Sequence, residues 1–175
     1  MESKWKSLLR GRISKEEIRG LERLLYDGQI QLSSIADLLK DSTVHFNLFW
    51  LLSTIAHNRP DTLKGLEEVI LDTILLHSDN VSVLRNGLSI FKHIAIPEEL
   101  EGKLFSLSFN SVESKESSIA CRSFGLSICV KIALKNPELK PEILELSKIT
   151  LANYGNLFPG VRSSCHQAIG ILTRR

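Results

Sequence analysis

Nucleophile and base chemistry in this chain would have to come from three cysteines (Cys121, Cys129, Cys165) and five histidines (His45, His57, His77, His93, His166). The residue types suit such chemistry, but their spacing does not. Cys165 and His166 are sequence neighbours, and on a helix that sets them about 100° apart, too far round for the imidazole to take the thiol proton. Cys165 falls instead on the apolar stripe of Val161, Ile169 and Leu172, where it reads as a small core residue; Cys121 and Cys129 read the same way. The histidines stand neither in HExxH spacing nor in HxxxH spacing beside a carboxylate. Glycine-rich phosphate loops of the GxxxxGK[ST] or GxGxxG kind are absent as well. The expectation is a non-enzyme with no metal or cofactor. An odd number of cysteines without CxxC spacing argues against a disulfide framework and for a reducing, cytoplasmic location.

A second kind of spacing recurs. A polar acceptor stands six residues ahead of a polar donor, which follows an apolar or small residue: Asp41 and Asn47, Asp79 and Arg85, Glu116 and Arg122, Asn156 and Arg162. The donors recur after 38, 37 and 40 residues, a period that signals stacked two-helix units. A guanidinium offers five donors in a fixed fork, and a turn carboxylate can accept from it and from helix N–H groups together. Since an unpaired buried charge is strongly unfavourable, Arg85, Arg122 and Arg162 are expected to be structural groups held by turn acids.

The elements that position these residues follow from proline and apolar periodicity. Pro60, Pro97 and Pro137 each precede an acidic residue and an apolar helical pattern, so each marks a helix start. Leu63, Leu66, Ile70 and Ile74 define the stripe of the first such helix. After each of these first, or A, helices comes a polar turn and a more apolar second, or B, helix. Leu48, Phe49, Leu52 and Ile55 mark one B helix, and Leu84, Leu88, Phe91 and Ile94 the next. Helices apolar over so much of their circumference lie between neighbours. Gly155 is expected to be a left-handed helix terminator. Gly87, Gly125 and Gly170 are expected to mark close helix approach. Upstream, Ser14 and Glu17 form a capping box, Gly28 ends that helix, and residues 32–40 form the A helix before the B helix that starts near Ser42. The low aromatic content of 6% and the Leu, Ile and Val richness suit helices rather than sheets. The chain is expected to be one domain of 175 residues, with residues 1–40 as cap and first A helix and 41–175 as the repeat array.

The segment Pro159-Gly160-Val161-Arg162-Ser163-Ser164-Cys165-His166-Gln167-Ala168-Ile169-Gly170-Ile171-Leu172 resembles the B helix of a HEAT repeat, with its Val-Arg pair, small residues and Gly-Leu-like end. Across residues 41–175 the pattern resembles a HEAT or armadillo-type array. The resemblance implies an all-α, right-handed α-solenoid of about four helix pairs with an irregular N-terminal cap. It also implies a buried ladder in which turn acids meet helix arginines, carried here by Asp79, Arg85, Glu116, Arg122 and Arg162. Asn47 stands where that pattern has Arg, and Asn156 where it has Asp.

The formal net charge of +2 gives no overall field toward nucleic acid or an anionic bilayer. Local asymmetry is more informative: the A-helix segments are rich in Glu and the B-helix segments in Lys and Arg. Solenoids of this kind present B helices on the concave side, which would bring Lys92, Lys131, Lys135, Arg174 and Arg175 to one face. The expected function is a non-enzymatic scaffold that binds a protein partner, an acidic segment, through Lys92, Lys131 and Lys135. Two alternatives stay open. One is nucleic-acid binding or DNA-glycosylase-like chemistry, as in HEAT-like glycosylases, with Trp50 the concave aromatic. The other is a small-molecule role like that of HEAT-repeat proteins linked to bilin attachment. The apolar stripe from Val161 to Leu172 has no capping helix after it, so a homodimer through that end is expected. The basic stretch from Lys4 to Arg12 is expected to cover the other end, and neither a secretory leader nor a membrane span is read in the sequence.

Overall fold

The computed structural model describes residues 4–174, so Arg175 lies outside the described residues. Those residues form ten α-helices and no strand: α1 (Lys4–Arg10), α2 (Lys15–Tyr26), α3 (Leu32–Leu38), α4 (His45–Asn58), α5 (Glu67–Leu76), α6 (Val81–His93), α7 (Glu98–Glu113), α8 (Ile119–Lys135), α9 (Lys140–Tyr154) and α10 (Pro159–Leu172). The helix-starting role of the prolines takes two forms. Pro97 is the N-cap of α7, while Pro60 and Pro137 open short 3-10 turns (Pro60–Leu63 and Pro137–Leu139) ahead of α5 and α9. In α2 the capping box is complete: the Ser14 side chain accepts from the Glu17 amide and the Glu17 carboxylate accepts from the Ser14 amide. Gly28 follows α2 at φ +72°, where only glycine is unstrained, and lets Gln29 N–H return to the Leu24 carbonyl at 2.9 Å.

Two compact units result, Met1–Ala95 and Ile96–Arg175. In the first, α4 lies between α6 and α2, with α1 also against it. Its Leu48, Phe49, Leu52, Ile55 and Ala56 are all buried without measurable exposure. The short α3 is not among its principal neighbours. In the second unit α8 packs against α7 and α10, and α10 against α9. Val112, Leu126, Cys129, Ile143, Val161 and Cys165 centre that core. Sequential packing of paired helices is thus what the apolar periodicity built.

Two of the glycine expectations are corrected. Gly155 is right-handed, φ −62°, because Leu157 and Phe158 N–H groups both satisfy the Tyr154 carbonyl and no left-handed residue is needed. Gly170 has open space around the position of a Cβ, so close approach does not explain it. Close approach does explain the other two: a Cβ on Gly87 would run into the Ile74 side chain, and one on Gly125 would sit 2.7 Å from the Ser108 carbonyl oxygen.

Candidate functional site

The donors read from the repeat spacing divide into two kinds. Asn47 and Arg122 are buried at the starts of α4 and α8. The Asn47 amide donates to the Leu9 and Gly11 carbonyls, at 2.9 and 2.7 Å, where α1 ends. Arg122 donates to the Val112 and Ser114 carbonyls where α7 ends, the latter at 2.8 Å, and its guanidinium lies 3.9 Å from the Tyr154 ring centroid. Helix ends leave orphan carbonyls carrying the negative end of the helix dipole, which is why an amide or a guanidinium suits the position. Arg85 and Arg162 are exposed, as are Asp79 and Glu116. Among the described residues no ion pair joins these arginines to the turn acids; the helix-end carbonyls take the place of the acids at Arg122. Asp41 alone of the turn acids holds an arginine, Arg10 at 2.9 Å. Thr43 and Arg10 together keep its carboxyl pulled down to about 2.

Two buried carboxylates that the sequence reading missed do the pairing instead. Glu22 of α2 accepts from Asn58 at 2.8 Å and from the Tyr26 hydroxyl at 2.7 Å. Glu101 of α7 accepts from Lys135 at 2.6 Å and from Asn136 at 2.9 Å. The sequence signal was available: an asparagine at the end of a B helix, just ahead of proline, in Asn58-Arg59-Pro60 and Asn136-Pro137.

Of the three lysines expected to meet a partner, Lys92 is exposed on α6 and Lys131 half-buried on α8. Burial, and then the neighbouring Lys135 charge, lower the Lys131 pKa. Lys135 is engaged within the fold, since its ammonium also donates to the Ile96 carbonyl at 3.0 Å. The thiols are equally inward. Burial pushes Cys165 up to about 11 and Cys129 up to about 12, leaving few thiolates at neutral pH. His45 is buried, its pKa lowered chiefly by desolvation, with Nε2 hydrogen-bonded to the Leu39 carbonyl. Among the described residues no group of three or more His, Cys, Asp and Glu is placed to hold a metal, and no helix is long and apolar enough to cross a membrane.

The most distinctive surface lies in the first unit, between the two B helices α4 and α6. Their side chains meet at a spacing of 36 residues: Ser53 donates to Ser89 at 3.0 Å, and the His57 and His93 rings meet edge to face at 4.9 Å. Two adjoining depressions open along this seam. One, of about 250 Å³, is lined by Phe46, Trp50, Arg85 and Asn86. The other, of about 340 Å³, shares Trp50, Arg85 and Asn86 and extends over Ser53, His57 and His93. Among the described residues no carboxylate belongs to either lining.

Helix pairs packed in series, with polar groups closing helix ends and B helices framing an open groove, define an all-helical repeat protein. A family model of the HEAT repeat domain matches residues 5–169, and the chain belongs to that family. No curated protein and no solved structure matches it.

Proposed function

We propose that this protein is a non-enzymatic scaffold whose B-helix surfaces bind a protein partner, with an acidic segment as the element recognised. Its membership of the HEAT repeat family supports an interaction role. The observation that carries the reading is the groove between α4 and α6, lined by no carboxylate among the described residues, with the exposed Arg85 and the half-buried Trp50 on its wall. Lys92 on α6 and Lys131 on α8 add positive charge to B-helix faces, while Lys135 contributes less because Glu101 neutralises it. A cytoplasmic setting fits three buried free thiols. The single domain of residues 1–175 and a homodimer through α10 stay within the proposal.

Fluorescence anisotropy of the full chain with a labelled Glu/Leu peptide tests it. Binding should weaken in a Lys92→Glu, Lys131→Glu double variant that unfolds at the same temperature as the parent. Equal binding of a Lys/Leu peptide would sink the acidic-partner reading, and tighter, steeply salt-dependent binding of single-stranded DNA would replace it with the nucleic-acid alternative.

A further inference from the structure

We infer that the facing imidazoles of His57 on α4 and His93 on α6 form a binding site for a transition-metal ion of the zinc or copper(II) class, with the ion's remaining positions open to water or to an exogenous ligand. The site goes beyond the scaffold reading and does not depend on it.

The sequence builds the pair by repetition. Ser53 and His57 stand about one helical turn apart on α4, and Ser89 and His93 do the same on α6. The two copies are 36 residues apart, and the fold lays them side by side within the first unit. The Ser53 hydroxyl donates to Ser89 at 3.0 Å, which ties the two helices together at that level. One turn further on, the two rings meet edge to face, with centroids 4.9 Å apart and planes at 87°.

That separation is what a shared ion requires. An imidazole nitrogen binds zinc at about 2.0–2.1 Å, which sets the ion ~3.2 Å from the ring centre; two rings at a ligand angle of about 90–110° then have centres roughly 4.5–5.2 Å apart. The observed 4.9 Å falls inside this window. A ligating histidine keeps its second ring nitrogen for a hydrogen bond, so a contact that either ring makes within the fold is compatible with the role. His57 is exposed and His93 half-buried, and both line the depression of about 340 Å³, where an ion can reach them.

The donors choose the ion. Imidazole suits zinc, copper and nickel, whereas magnesium and calcium take oxygen ligands, and among the described residues no carboxylate lines this depression. No third His, Cys, Asp or Glu joins the pair among the described residues, so the coordination is open and unlike the closed shell of a structural zinc. Arg85 lines the same depression, and its charge favours an anionic group at an open position. The other imidazole contact of this unit is a natural control. The His45 and His77 rings lie 4.7 Å apart at 70°, but His45 is only 3% exposed, its Nε2 is engaged with the Leu39 carbonyl, and neither residue lines either depression.

The test titrates the full chain with zinc chloride and with copper(II) chloride, read by calorimetry and, for copper, by electron paramagnetic resonance. His57→Ala and His93→Ala should each weaken binding by roughly tenfold or more, since even an outer-shell partner of a ligand is worth that much. The copper spectrum should show two imidazole nitrogens in the parent and one in His57→Ala, and His77→Ala should bind as the parent does. Zinc should raise the unfolding temperature of the parent, because only the folded chain holds the two rings together, and should leave that of His57→Ala unmoved. Since His57 is exposed, His57→Ala should unfold at the parent's temperature without metal. His57→Gln repeats the test with a polar side chain that lacks the ring.

Absence of saturable binding of either ion would overturn the site. A single-nitrogen copper spectrum in the parent would do the same, as would binding that survives in His57→Ala and His93→Ala but is lost in His77→Ala. Peptide binding is a separate readout, so the scaffold reading and the metal site fail independently.

Discussion

Asn47 and Arg122 do the same job in the two units with different means. Each stands at the start of a B helix and donates to two carbonyls, spaced two residues apart, at the end of an upstream helix. In the first unit a neutral amide suffices, and the helix it closes, α1, lies three helices back. In the second unit a guanidinium reaches the helix immediately before its own, and an aromatic ring covers it. The comparison shows that this position requires donors aimed at a helix end, and that a carboxylate partner is optional. It also separates Arg85, which stands at the same point of the repeat but faces the groove instead of a helix end. The same point of the repeat is thus structural at Arg122 and exposed at Arg85.

The sharpest way to break the comparison is to remove the charged member. Arg122→Ala would leave two helix-end carbonyls unsatisfied, uncover Tyr154 and open a cavity, at a cost of about 3 kcal/mol. Hydrogen exchange localises the effect: amides of residues 96–174 should lose protection, and a variant whose protection is unchanged would deny Arg122 its structural role. Asn47→Ala should cost less, about 1–2 kcal/mol, since the lost bonds are between neutral groups.

The glycines offer the next contrast. Alanine is the better helix former by about 1 kcal/mol, so both substitutions begin with a gain. At Gly125 the added methyl meets the Ser108 backbone oxygen, which can move only with α7, and overpacking should leave a net loss of about 1 kcal/mol. At Gly87 it meets the end of the Ile74 side chain, which can change rotamer, and the net change should be close to zero. Urea unfolding of Gly125→Ala and Gly87→Ala decides this, and equal losses would mean that α5 and α6 are as rigidly apposed as α7 and α8.

Much of this was legible because burial repeats. The B-helix cores, the capping box at Ser14 and the turn at Gly28 are all written in residue types at fixed spacing, which is the only language a single sequence has. The spacing of six picked out Asn47 and Arg122, which are buried donors, together with Arg85 and Arg162, which are exposed. It misled about their partners because backbone carbonyls have no residue identity, so a carboxylate in the next turn drew the attention. Glu101 was passed over for the opposite reason: it stands among Glu98 and Glu99 at the start of α7, and the sequence does not say which of the three faces inward. Lys135 was taken for a surface cation on the same ground.

The smallest expected effect concerns the second unit's carboxylate and acidic pH. Hydrogen bonds from Lys135 and then from Asn136 lower the Glu101 pKa below its ordinary value of 4.5. With the folded pKa depressed, the unfolded state binds the proton more readily. The Glu101 contribution is therefore fully present above its unfolded pKa and is lost as pH falls through the folded one. Because Lys135 is half exposed and solvent screens the pair, the contribution is modest. Glu101→Gln keeps an oxygen for Asn136 but loses the charge that holds Lys135. Its stability should lie nearest the parent's in acid, with the gap widening as pH rises from about 3 to 6. Urea midpoints for both proteins across that range check the sign. A gap that narrowed with rising pH would mean that desolvation of Glu101 outweighs its two donors, and that the second unit gains nothing from a charged donor where Glu22 of the first unit takes only the amide of Asn58 and the Tyr26 hydroxyl.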